Sequence, residues 1–82
     1  MNPKELHTLG IDIGSTTVKI AILDEENEVL FSDYERHYAN IQETLSDLLG
    51  RALYKLGPIY VSPVITGSGG LTLAKNLGVP FV

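Results

Sequence analysis

Leu9-Gly10-Ile11-Asp12-Ile13-Gly14-Ser15-Thr16-Thr17-Val18-Lys19 is the stretch that decides the fold of this chain. An apolar strand runs into one carboxylate. A glycine and three hydroxyl residues follow, and a second strand leaves with a lysine two residues in. The spacing predicts that the first strand holds Asp12 rigidly at its end. Gly14 lets the backbone turn with no Cβ in the way and can take φ > 0 where the turn needs it. Ser15, Thr16 and Thr17 then offer hydroxyls and backbone N–H groups to a bound anion. Anion donors beside one carboxylate suit a nucleotide phosphate with its Mg²⁺, because the metal, often held through water, relieves the repulsion between phosphate and Asp12. The plainer alternative is an ordinary strand–turn–strand, in which Gly, Ser, Thr and Asp are usual turn residues. Asp12 favours the phosphate site. It sits between Ile11 and Ile13 in an otherwise apolar strand, where an unpaired carboxylate is costly to bury and asks for a partner.

Working outward, the strand before the turn spans about Leu6 to Ile13, after a polar lead-in from Met1 to Glu5. Its near-continuous apolarity predicts a central strand covered on both faces. The second strand, about Thr17 to Leu23, alternates, with Val18, Ile20 and Ile22 on one face and Lys19 and Ala21 on the other. Asp24-Glu25-Glu26-Asn27 reads as an exposed hairpin turn. A third strand, about Glu28 to Arg36, mixes apolar residues with Asp33, Glu35 and Arg36, a charge load that suits an edge. Asn40 then reads as a helix N-cap, with Glu43 three residues on. Ile41, Leu45, Leu48, Leu49, Ala52, Leu53 and Leu56 form one apolar stripe of a helix that Gly57 and Pro58 end. A fourth strand, about Ile59 to Thr66, carries Pro63, which either shortens it or faces an edge. Thr66-Gly67-Ser68-Gly69-Gly70 is a second glycine-rich turn. A short helix, about Leu71 to Leu77, ends at Gly78, and Val79-Pro80-Phe81-Val82 starts a further extended piece. The expectation is a mixed five-stranded sheet in the order 3-2-1-4-5 with two helices, forming one half-domain over 1–82 that belongs to a longer chain.

Composition narrows the function. Eighty-two residues make one small domain, 44% apolar and 20% charged, as in ordinary soluble globular chains. There is no cysteine, which excludes a disulfide framework, a thiolate nucleophile and a cysteine-held metal within these residues. A cytoplasmic location fits that composition. Met1 to His7 lacks the apolar run of a signal peptide, and no segment has transmembrane length. The net charge of −4, with scattered Lys and Arg, argues against a nucleic-acid surface.

The element order and the first turn resemble the ribonuclease H-like half-domain of the actin, sugar-kinase and heat-shock-chaperone ATPase superfamily. Within it, Gly10-Ile11-Asp12-Ile13-Gly14-Ser15-Thr16 and Thr66-Gly67-Ser68-Gly69 are similar to the G-I-D-x-G-S-T and T-G-x-G motifs of the BadF/BadG/BcrA/BcrD ATPases. That family includes the activators of 2-hydroxyacyl-CoA dehydratases and the ATPase subunits of benzoyl-CoA reductases. The resemblance implies a cleft between two half-domains that binds ATP with Mg²⁺. It implies that Asp12 holds the metal's water shell and that Gly14, Ser15 and Thr16 meet the β- and γ-phosphates. It also implies that hydrolysis closes the cleft and drives an electron onto a dehydratase or reductase partner, with homodimerisation and an iron–sulfur cluster in the activators. Here no cysteine is present to hold such a cluster. The family's second phosphate motif and adenosine motif have no counterpart in these residues.

Other readings stay open. Lys19 either points at phosphate or is a solvated strand residue. It is not a P-loop lysine, since the chain has no G-K-S/T. Gly67, Gly69 and Gly70 either approach the nucleotide or only permit a strand-to-helix turn, and the second role carries more weight. Thr66-Gly67-Ser68-Gly69 lacks the G-x-S-x-G spacing of a hydrolase elbow. His7 and His37 share no metal-ligand spacing and read as solvated or strand-edge residues. The four tyrosines read as packing residues. Besides the ATPase of activator type, a sugar-kinase-like phosphotransferase half-domain and a non-hydrolysing binding or assembly module use the same frame.

Overall fold

A computed structural model describes residues 5–82. The polar lead-in expected over Met1 to Glu5 lies, Glu5 apart, outside the described residues. The strands are β1 (Leu6–Ile13), β2 (Thr17–Leu23), β3 (Val29–Arg36) and β4 (Tyr60–Thr66), and the helices are α1 (Ile41–Leu56) and α2 (Leu71–Leu77). The sheet order is β3-β2-β1-β4. β1 pairs antiparallel with β2 and parallel with β4, and β2 pairs antiparallel with β3. Strand one is central, as expected. The expected fifth strand is reduced to one parallel bridge, Ile65 to Phe81, on the outer side of β4. There the Ile65 N–H donates to the Pro80 carbonyl and the Val82 N–H to the Ile65 carbonyl. Pro63 lies two residues before Ile65, so its missing N–H faces that same outer side, away from β1. A proline is tolerated there because no ladder bond with β1 is lost.

β1 departs from the two-sided burial expected of it. His7, Leu9, Ile11 and Ile13 are buried, while Leu6, Thr8 and Asp12 are exposed and Gly10 is half-buried. The reason is that both helices pack on one face. Leu45, Leu48 and Ala52 of α1 and Leu73 and Ala74 of α2 join Val18, Ile20, Ile22 and Ile65 in one core. Leu53, expected in the α1 stripe, is exposed, and so is Tyr54. The other face of the sheet is open.

The helix ends repay comparison with the sequence. Asn40 makes no side-chain cap, and its ψ of 65° is the reason: a capping side chain needs a β-region backbone to reach the N2 or N3 amide. The chain instead enters α1 through Tyr38 and Ala39, both left-handed at φ 47° and 66°. Gly57, at φ 75°, closes the helix by donating its N–H to the Leu53 carbonyl. In the β2–β3 hairpin the Asp24 carboxylate accepts the N–H groups of Glu26 and Glu28 at 2.8 and 2.9 Å.

β3 is the edge strand, yet Asp33 and Glu35 do more than discourage pairing. They pair in register with Ile20 and Val18, on the helix-covered side. Arg51 of α1 reaches over to both carboxylates, at 3.0 and 2.6 Å. The tyrosines, expected to pack, are exposed: Tyr34, Tyr38, Tyr54 and Tyr60 all project outward. Tyr38 lies under the Arg36 guanidinium, 5.3 Å from its ring centre. Among the described residues no helix is long and apolar enough to cross a membrane.

Two consequences are measurable. Leu48 has no exposed surface; Leu48→Ala should cost about 3 kcal/mol, a large share of the roughly 4–12 kcal/mol available to a domain of this size. A loss of unfolding free energy under about 1 kcal/mol in denaturant titration would mean that α1 is not the anchor of the core. The Arg51 hydrogen bond, then the Tyr34 N–H, holds the Asp33 carboxyl below its ordinary 3.8. A lowered folded value stabilises the fold above the unfolded value and loses that contribution as pH falls through the folded one. Asp33→Asn should therefore flatten the acid limb of the stability curve below about pH 4 and leave its neutral-to-alkaline shape unaltered.

Candidate functional site

The parallel pairing of β1 with β4 brings both glycine-rich turns to the same end of the sheet. Asp12 is the last residue of β1 to pair with β4, opposite Thr66; the first turn begins two residues beyond Asp12, at Gly14, and the second one residue beyond Thr66, at Gly67. The first turn is closed by the Gly14 N–H, which donates to the Thr17 carbonyl at 2.9 Å. Gly14 does not use a positive φ. A Cβ there would stand 3.4 Å from the Thr17 carbonyl oxygen, at the edge of ordinary contact. Ser15 and Thr16 are exposed. Among the described residues their N–H groups take no part in the backbone bonds of the turn, so they remain available to a ligand. The Thr16 and Thr17 hydroxyls lie 3.3 Å apart.

The second turn is seated directly on the first. The Gly69 N–H donates to the Ile13 carbonyl at 2.9 Å. Gly67, at φ 98°, lies so close to β1 that a Cβ would overlap the Ile13 carbonyl oxygen and stand 2.5 Å from Asp12 Oδ1. A Cβ on Gly69 would come to 3.0 Å from the Ile13 side chain. Beyond permitting a strand-to-helix turn, Gly67 and Gly69 pack one turn against the other. They are the contact between the two turns, and they place backbone beside Asp12.

Asp12 itself is not buried. It stands on the open face, and the cost of burying its charge, argued from its apolar neighbours, does not arise. Its in-register neighbour on β2 is Lys19, followed by Tyr34 on β3. Tyr34, Lys19, Asp12 and Thr66 thus form one row across the open face. Lys19 is beside Asp12 and one pair behind the turn, not on it. Among the described residues neither Asp12 nor Lys19 is in an ion pair. A groove of about 900 Å³ runs along this row, lined also by Gly10, Thr17, Ala21 and Val64. No three His, Cys, Asp or Glu side chains gather as a metal site among the described residues. The donor set fits Mg²⁺ carried by phosphate, which takes one or two carboxylates and keeps its waters, and not a cage of protein ligands.

Sequence reasoning missed His37. Expected to be a solvated or strand-edge residue, it follows the edge strand β3 but is buried, and it binds the first turn twice. Its N–H donates to the Thr16 carbonyl at 2.9 Å. Its ring Nε2 lies 3.1 Å from the Gly14 carbonyl, and its Nδ1 lies 3.0 Å from the Ala39 N–H. An amide can only donate and a carbonyl can only accept. One ring tautomer, with Nδ1 bare and Nε2 protonated, satisfies both. No local spacing signals this, because His37 is 23 residues from Gly14 and meets it only through the β2–β3 pairing. His7 is buried too, since it shares the helix-covered face of β1 with Leu9. Its Nδ1 donates to the Glu5 carbonyl at 3.0 Å.

No family model and no curated protein matches the chain. Among solved structures it is similar to a ROK-family transcriptional regulator, a homolog of the E. coli MLC protein. The TM-score is 0.65 at 15% identity, over 99% of this chain and 28% of that one. A Ppx/GppA family member from Aquifex aeolicus aligns at TM-score 0.47 and 14% identity, over 93% of this chain and 34% of that one. The likeness shows the fold alone, an α/β half-domain, here with a mixed four-stranded sheet and two helices. The chain spans about a third or less of these structures.

The seating of the turns has a direct test. Gly67→Ala forces a side chain into the Ile13 carbonyl at a positive φ, and should cost roughly 3 kcal/mol or more. Gly50→Ala, on the exposed side of α1 with nothing within 4 Å, should instead gain about 0.5–1 kcal/mol. Equal unfolding midpoints for the two variants would refute the close approach.

Proposed function

We propose that this chain is the phosphate-binding wall of a nucleotide cleft, whose facing wall comes from a further segment of chain. In this reading MgATP lies across the end of the sheet. The Ser15 and Thr16 N–H groups and hydroxyls, with Thr17 behind them, take the β- and γ-phosphate oxygens. Asp12 would hold the metal through its water shell, where the ion would offset the charge of the γ-phosphate. Gly14, Gly67 and Gly69 keep side chains out of the way, and Lys19 adds positive charge along the groove. The observation that carries the reading is the convergence of the two glycine turns on one unpaired, exposed carboxylate.

The sugar-kinase-like form, a phosphotransferase half-domain, draws its support from the likeness to the ROK-family structure. The reading as an activator of 2-hydroxyacyl-CoA dehydratases rests on the motif Gly10–Thr16 and on Thr66-Gly67-Ser68-Gly69. The seating of that second motif on Ile13 and Asp12 favours keeping it. In that form hydrolysis drives electron transfer to a partner enzyme, and any iron–sulfur cluster takes its cysteines from elsewhere, since this chain has none.

Asp12→Asn keeps size and removes charge. In the 82-residue chain, MgATP at millimolar concentration should shift the amide resonances of Gly14 to Thr17, with turnover at background, and the variant should lose the Mg²⁺-dependent part of the shift. Where both walls are present, hydrolysis or transfer should fall about a hundredfold or more, as when other charge-positioning groups are lost. The melting temperature should stay within about 3 °C, because Asp12 is exposed. A destabilised variant with normal turnover per folded molecule would end the role given to Asp12.

A further inference from the structure

We infer that His37 is the positioning residue of the anion-binding turn, and that its Nε2–H bond to the Gly14 carbonyl is what aims the turn's free N–H groups outward. This rests on the phosphate-site reading above. A tight turn presents N–H groups to an anion only if its carbonyls are directed elsewhere, because a carbonyl oxygen facing a phosphate repels it. Of the four carbonyls from Gly14 to Thr17, three are taken. Thr17 O accepts from Gly14 N–H, Thr16 O from His37 N–H, and Gly14 O from His37 Nε2–H. Two of the three partners belong to one residue outside the turn.

The ring is itself held. Its Nδ1 accepts the Ala39 N–H, and the His37 carbonyl accepts the Asn40 N–H at 2.7 Å. Ala39 and Tyr38 are bent into left-handed backbone conformations that L-residues rarely adopt. The bend carries the chain from the end of β3 into α1 while leaving the ring pointing back at β1–β2. The strain of two such residues is offset by the contacts it permits, a pattern that accompanies functional loops. The ring therefore couples the start of α1 to the carbonyl side of the turn. His37 does not touch the ligand in this arrangement. It acts through Gly14.

The two ring nitrogens can be replaced one at a time. His37→Gln offers an N–H near the place of Nε2 and no acceptor for Ala39. His37→Asn offers an acceptor near the place of Nδ1 and no donor for Gly14. On the 82-residue chain, MgATP and inorganic phosphate titrations followed on the amides of Gly14 to Thr17 compare both variants with the native chain. The inference expects His37→Gln to bind within about threefold of native and His37→Asn to bind about tenfold more weakly or worse, the change that accompanies loss of one buried hydrogen bond. Amide exchange at Gly14, measured without ligand, should quicken in His37→Asn and not in His37→Gln. Equal affinities for the two variants, with native binding intact, would overturn the role of His37 and leave the phosphate site standing. A native chain whose turn responds to neither probe would overturn the phosphate site and this inference with it. Should His37→Asn not fold, ring ¹⁵N spectra of the native chain decide. They must show the Nε2-protonated tautomer, and both ring signals must move on MgATP addition; a bare Nε2, or ring signals that stay fixed while the turn amides shift, would refute the coupling.

Discussion

The hydrogen bond from Gly69 N–H to the Ile13 carbonyl, with Gly67 pressed against the same peptide, is the constraint on which the rest of this structure depends. It forces two turns, 53 residues apart from Gly14 to Gly67, into backbone contact. At Gly67 that contact leaves no room for a Cβ, which would overlap the Ile13 carbonyl oxygen. Once made, it fixes where β4 ends relative to β1 and where α2 starts. The Asp12 carboxylate is held beside the seam. Parallel pairing of β1 and β4 is the wider frame, and α1 is the connection that makes it feasible, since parallel neighbours need a long crossover.

The site that results is built mostly of backbone. Its side-chain chemistry amounts to one carboxylate, three hydroxyl residues and a lysine alongside. That economy is consistent with phosphate binding, where N–H groups and a metal ion carry the charge and the protein contributes placement. It also explains the layout of the core. The residues that hold the site in register, Ile11, Ile13, Val18 and Ile65, are buried within the sheet directly behind it. The site thus inherits the rigidity of the most protected part of the molecule. The hairpin of β2 and β3 extends this outward, and Arg51, bridging Asp33 and Glu35, ties the edge strand to α1 where the sheet has least support.

How the open face matters follows from the same geometry. Both helices lie on one side, so the row Tyr34–Lys19–Asp12–Thr66 faces a groove and not a second layer. An apolar strand in sequence is therefore not a doubly covered strand here. Gly10 and Thr8 alternate with the buried set, and it is these small and polar positions, easily read as interruptions, that mark the uncovered side.

Much was legible in the sequence because it is local. The tight turn from Gly14 to Thr17, the 3.6-residue stripe of α1 except Leu53, the Gly57–Pro58 stop, the boundaries of α2 and the central place of β1 all follow from patterns within a few residues. What escaped the sequence is what depends on partners distant along the chain. Asn40 has the composition of a cap but not the backbone angle for one, because Tyr38 and Ala39 set the entry to α1. His37 looks like any strand-edge histidine until β2–β3 pairing delivers it to Gly14. Gly67 and Gly69 read as turn formers, and only the crossover through α1 makes them the seam against Asp12. The sequence alone determined four strands, two helices and the places of the two glycine turns, since propensity, periodicity and turn preference act over short range. The tertiary structure alone decided which face stays open, which carbonyls are held back and which glycines are indispensable, since those depend on contacts that exist only after the sheet is assembled.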